Sequence, residues 1–434
     1  MKPIIDIHAH IFNAMDIPLK GYLQSRNYEG IVKFFAPVLI PVVARCIRRR
    51  LDPTKKTEFL CKLAIAVAYA IMGRQYGEWG DTLSKKVVDI TIQLIDTYQK
   101  DGIDLYVPLM IDYEYWFKNT PDNLIKNQID HIYKDIIIPY KGRIHPFVAF
   151  DPARELAFRH GMNNPDGTPE EHGSMRLVKD AIENKGFIGV KLYNAMGYKP
   201  FNNEDVDKNR RRIALHKKKY VFKGQEYDEV LSELYDYCIQ NEVPITTHCG
   251  MYGSESYNDA SFDFGKAVFW RDVLSQDRFK NLRLNLAHFG WNPKQGYIGD
   301  KTWVKDICEM LTEYDYLFTD TGYHEVVMEK YFEKFRSDYQ RIVSDFPIVK
   351  KRLLFGIDWH VIIRQKGYQN FKDKFAEVLK HNGLFTDEEF EDFLGGNSMK
   401  FLGLLPGGKN RERLAAFYQN HSIEPPEWFA SSGQ

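Results

Sequence analysis

No CxxC pair occurs anywhere in this chain. Its five cysteines (Cys46, Cys61, Cys238, Cys249 and Cys308) are scattered and odd in number. That argues against a disulfide framework, and reduced thiols in a cytoplasmic setting are the expectation. Charge imbalance is absent as well. Lys+Arg and Asp+Glu stand at 59 each, which leaves no global field to attract nucleic acid or an anionic membrane. Uninterrupted apolar runs are also missing. The stretch 31–47 is broken by Pro37 and Pro41, and 59–73 contains Lys62 and is too short to span a bilayer. Both are expected to be packed helices, so no membrane span is expected. With a first strand starting at Pro3, no secretory leader is expected either. What remains is a globular composition, 44% hydrophobic and 27% charged, over 434 residues. That length suits one large domain with insertions, or two to three ordinary ones.

The first apolar run reads Ile5-Asp6-Ile7-His8-Ala9-His10. A strand alternates faces with period two. Ile5, Ile7 and Ala9 therefore share one face, while Asp6, His8 and His10 share the other. Seven further strand-like runs follow, at 104–111, 143–150, 187–193, 243–249, 282–289, 316–322 and 353–358. Helical patterns lie between them, at 85–100, 121–138, 174–184, 228–241, 301–313 and 325–343. Alternating strand and helix implies a parallel sheet, and eight repeats imply an α/β fold of the (β/α)8 TIM-barrel class.

The spacing also predicts insertions. About ninety residues separate His10 from the second strand, where a simple unit needs about thirty. Residues 12–84 are therefore expected to be a helical insertion after strand one, and 195–227 a second insertion after strand four. Both leave the C-terminal ends of strands, the face on which barrels carry their sites. The barrel is expected to occupy 1–405, and 406–434 to form a poorly structured tail.

Polar residues collect at those same strand ends. His8 and His10 end strand one, and Lys191 lies in strand four. His248 ends strand five, His288 strand six and Asp358 strand eight. Taken singly, each has an ordinary reading: Lys191 as an ion-paired barrel lysine, Asp358 as a helix cap. Taken together they converge on one mouth. Neutral imidazoles and a carboxylate suit Zn²⁺ and similar ions. Such an ion lowers the pKa of water, and a neighbouring aspartate can take the proton. Asp6, one layer deeper, is expected to orient a ligand imidazole.

The stretches "DIHAHIF", "GFIGVKLYNAMGYKP", "THCG", "AHFG", "FGIDW" and "LGGNSMKFLGL" resemble the strand-end motifs of the amidohydrolase superfamily. The nearest likeness is to its amidohydrolase-related branch of metal-dependent hydrolases. The resemblance implies that His8, His10 and Asp358 bind a first metal, zinc or another divalent ion such as manganese. His248 and His288 would bind a second, or His248 would join the first while His288 polarises the substrate. Lys191 would bridge two ions as a carboxylated lysine, or would position substrate beside one. The implied activity is hydrolysis of an amide, lactone or ester bond of a small molecule, with Asp358 and His288 catalytic. The alternative is non-oxidative decarboxylation of an aromatic or unsaturated carboxylic acid. A homo-oligomer is expected by analogy alone.

Tyr193, Trp291, Tyr323, Trp359 and Arg364 lie just past strand ends and are candidate substrate contacts. Arg364 offers a planar fork to a carboxylate. His324 and His360 read as auxiliary acid–base groups or as exposed loop histidines. The basic run 208–219 reads as a solvated helix face or as a lure for an acidic substrate.

Overall fold

A computed structural model describes residues 2–24, 42, 44–49, 51, 74–117, 119–169, 171–206, 221–251, 253–257, 259–290, 303–324 and 329–431. Eight strands form where alternation places them: β1 Ile5–Ala9, β2 Leu105–Pro108, β3 Phe147–Ala149, β4 Gly189–Leu192, β5 Ile245–His248, β6 Leu284–Ala287, β7 Leu317–Asp320 and β8 Leu353–Leu354. Each is shorter than the apolar run that contains it. The cause is clearest at β8. There the amide of Phe355 donates to Phe393 O, that of Gly356 to Thr321 Oγ1 and that of Ile357 to Asp6 Oδ1. Those donors are lost to the ladder, so it stops at Leu354.

All strand pairings are parallel and follow chain order, β1 with β2 and then β3 through β8. Backbone contacts bridge both gaps between the two ladders. Tyr106 pairs with Ile144 and Leu109 with Phe147. Ile7 N donates to Phe355 O at 3.0 Å, and Asp358 N donates to His8 O at 2.6 Å. The strand order is that of a (β/α)8 barrel. Both faces of the strands are buried, as covered parallel sheets require. Gly189 shows how tightly the interior is filled, because a Cβ there would sit 2.3 Å from the Phe147 ring.

The expected helices form at Val87–Thr97, Ile125–His131, Ser174–Asn184, Gly224–Asn241, Trp303–Glu313 and Glu329–Asp345. Within the region expected as the first insertion, helices Leu19–Gln24 and Arg74–Leu83 are described. Most of 31–73 and the basic run 208–219 lie outside the described residues. Among the described residues no helix is long and apolar enough to cross a membrane.

Two expectations are overturned. The segment after Gly403 is helical, at Lys409–Asn420 and Glu427–Ser431. Its Phe417, Tyr418, Trp428 and Phe429 are buried. Tyr418 OH pairs with His145 Nε2 at 2.8 Å, and Trp428 Nε1 donates to Gly142 O at 3.2 Å. Nor are all the cysteines reduced: Cys46 is disulfide-bonded, while Cys238, Cys249 and Cys308 are free and buried.

Candidate metal centre

Three imidazoles at the barrel mouth are each anchored through one nitrogen. His10 Nδ1 donates to Leu109 O at 2.8 Å, beyond the end of β2. His8 Nδ1 lies 3.1 and 3.2 Å from the two oxygens of Asp320, at the end of β7. His288 Nδ1 donates to Gly322 O at 2.9 Å. A carbonyl or a carboxylate only accepts, so each ring is assigned a proton on Nδ1 and turns Nε2 towards the site. Outer hydrogen bonds of this kind orient metal-binding histidines. Burial acts in the same direction. It lowers His10 well below the ordinary histidine range and takes His288 down to about 3, so both rings stay neutral.

The Nε2 nitrogens face one another and a carboxylate. His10 Nε2 stands 3.6 Å from Asp358 Oδ1. His8, His10 and Asp358 offer ligand atoms within 4.8 Å of one another. The His8 ring lies 4.7 Å from that of His288 and 5.5 Å from that of His10, centre to centre. His288 Nε2 accepts a hydrogen bond from His248 Nδ1 at 3.1 Å.

Asp358 is held at φ 52 just after β8 and makes no side-chain cap for the short helix Trp359–Ile362. That removes its ordinary reading. Its Oδ1 is buried with no hydrogen-bond partner among the described residues. Burial pushes its carboxyl up to about 6. Lys191 Nζ is likewise buried without a hydrogen-bond partner among the described residues, 5.7 Å from the centre of the Tyr193 ring. It is not the ion-paired barrel lysine of the ordinary reading. Burial brings its amine down to about 8. Two polar atoms left bare in a dry site are costly unless something occupies the space between them.

Residues 135–404 match a family model described as Amidohydrolase. The chain belongs to the amidohydrolase family. The matched region contains Lys191, His248, His288 and Asp358, whereas His8 and His10 lie before it. Among solved structures the amidohydrolase chain is similar to 5-carboxyvanillate decarboxylase from Novosphingobium aromaticivorans, at 11% identity over 92% of this chain and 97% of that one, TM-score 0.47. It is also similar to an amidohydrolase from Burkholderia multivorans with bound zinc, at 12% identity over 78% and 94%, TM-score 0.44. A uronate isomerase from Bacillus halodurans gives 14% identity over 93% of each chain, TM-score 0.43. No curated protein matches the sequence.

Asp320 escaped the sequence reading. It is fully buried and, rather than Asp6, grips the ring of a candidate ligand. Asp6 was expected to do so, but its Oδ1 instead accepts the backbone amides of His8 at 3.1 Å and Ile357 at 3.0 Å. Burial alone would raise the Asp320 carboxyl. His8 and the amide of His288 outweigh it and hold that carboxyl well below the ordinary range.

The remaining candidates surround this centre. The Tyr193 ring stacks on His248 at 4.7 Å, and its hydroxyl accepts from the Ser254 amide at 2.8 Å. Trp359 is fully buried and donates to His10 O at 2.6 Å. Arg364 Nη2 donates to Tyr323 OH at 3.2 Å, with its guanidinium carbon 5.6 Å from the ring centre. Trp291 lies outside the described residues. His324 and His360 are buried, not exposed. His324 Nε2 donates to His288 O, and His360 bridges Trp79 Nε1 and Phe12 O.

Proposed function

We propose that this member of the amidohydrolase family is a metal-dependent hydrolase of an amide, lactone or ester bond. The observation that carries the reading is the bare, buried Asp358 Oδ1 facing imidazoles whose Nε2 lone pairs are fixed by outer hydrogen bonds. Such a donor set fits a divalent cation such as zinc or manganese. His8, His10 and Asp358 would hold it. His248, His288 and a carboxylated Lys191 form the place for a second. When bound, the ion lowers the pKa of water and polarises the substrate carbonyl.

The protein's own groups supply the rest. Asp358 takes the proton of the attacking water at a carboxylate oxygen and delivers it to the leaving group. His288 is a ligand here and not an oxyanion donor. Its only proton is on Nδ1, committed to Gly322 O. Arg364 and Tyr323 contact the substrate.

Asp358→Asn is expected to keep the fold and abolish turnover, checked by circular dichroism and by hydrolysis of amide, lactone and ester substrates. Full activity in that variant would refute the mechanism. Metal analysis counts ions per chain, and intact mass shows whether Lys191 carries a carboxylate. Release of carbon dioxide without uptake of water would select the decarboxylase alternative.

A further inference from the structure

We propose that Asp320 is a positioning residue that fixes both the ring of His8 and the backbone turn presenting His288, an inference that rests on the metal reading above. Its carboxylate meets donors from β1, from β6 and from the turns that follow β6 and β7. His8 Nδ1 reaches both oxygens at 3.1 and 3.2 Å. The amides of His288 and Gly322 donate to Oδ1 at 3.0 and 2.9 Å, and Asn285 Nδ2 donates to Oδ2 at 2.7 Å. An ionised carboxylate has about four accepting sites. Donors fill them here, so Asp320 has no lone pair left for a cation and acts through its neighbours.

Two effects follow from that saturation. His8 has Nδ1 committed to Asp320, so Nε2 is the nitrogen left to face His10 and Asp358. The second effect concerns the chain at β6. His288, Phe289 and Gly290 run consecutively at φ 67, 51 and 58. Non-glycine residues disfavour that region. The bond from the His288 amide to Asp320 secures the first residue of the turn. One carboxylate thereby sets two candidate ligands that lie far apart in the chain. An asparagine would keep the shape, but it turns one accepting edge into a donating NH₂ among donors and removes the charge that favours Nδ1–H.

The test uses the full chain with ¹⁵N-labelled histidine, prepared metal-free. Wild type is expected to show His8 protonated at Nδ1 and bare at Nε2, and Asp320→Asn to shift it towards Nε2–H. Titration with Co²⁺, followed by visible absorption, is expected to show affinity about 10- to 100-fold weaker in Asp320→Asn, with a displaced band. Asp151→Asn removes another buried carboxylate, one that serves the Arg154 amide and Trp116 instead. It is expected to leave Co²⁺ affinity and band unchanged. Wild-type His8 tautomer and Co²⁺ affinity in Asp320→Asn would overturn the proposal. Should that variant fail to fold, the wild-type spectrum decides, since Nε2–H on His8 would also overturn it. If wild type took up no Co²⁺, the metal reading would fall while the tautomer comparison still judged Asp320.

Discussion

A methyl group on Gly322 would sit 2.6 Å from His8 Nδ1 and 3.0 Å from Asp320 Oδ1. Neither neighbour is the loose end of a flexible chain, so the His8–Asp320 pair must separate. Gly322→Ala is therefore expected to weaken metal binding by about 10- to 100-fold, measured by calorimetric titration. Intact secondary structure by circular dichroism would assign the loss to the site. At this scale most of the candidate ligands were legible because the polar residue contrasts with greasy neighbours of opposite parity: Lys191 between Val190 and Leu192, His288 between Ala287 and Phe289. Asp320 was not, since Thr319 and Thr321 flank it and parity offers no contrast. Its role depends on a histidine brought to it from another strand by the fold. The buried state of His324 and His360 was illegible for the same reason, because it is set by Tyr339, Trp79 and Phe12 from distant segments.

Strands and helices were legible wherever period and punctuation agreed. They disagreed after Gly403. Pro425 and Pro426 read as loop signals, yet the segment before them forms the helix Lys409–Asn420, whose Leu414, Phe417 and Tyr418 bury one stripe. That helix reaches His145, whose Nδ1 donates to Gly186 O at 2.7 Å while Nε2 pairs with Tyr418 OH. Tyr418→Phe is expected to cost about 1 kcal/mol, the ordinary worth of a hydrogen bond, read by denaturant unfolding. The same ring sets a pH dependence. Burial lowers His145 to about 4, below its unfolded value of about 6.5. The unfolded chain binds the proton first, so this stability is complete above about 6.5 and drains away as pH falls towards 4. His145→Asn does not titrate. The stability gap between wild type and this variant should narrow by up to about 1.4 kcal/mol per pH unit across that window. A gap independent of pH would show that His145 is not held neutral.

For the whole molecule, an ion that binds only the folded chain stabilises it by mass action. Excess Zn²⁺ or Mn²⁺ is expected to raise the melting temperature of metal-stripped protein, and a chelator to lower that of the loaded form. At a free ion concentration a hundred times the dissociation constant, the gain is about 2.7 kcal/mol. Asp358→Ala should respond much less to either treatment. Equal metal-induced shifts in both proteins would exclude Asp358 from the ligand set. Matched family residues begin at 135, so the contribution of β1 to this linkage is best isolated with His8→Ala and His10→Ala in the same scans.

The bond from Asp358 N to His8 O ties the earliest strand to the latest. During synthesis, a chain still attached to the ribosome exposes both β1 histidines long before their carboxylate partner has been translated. On the ligand set proposed above, ion capture would therefore await the last strand.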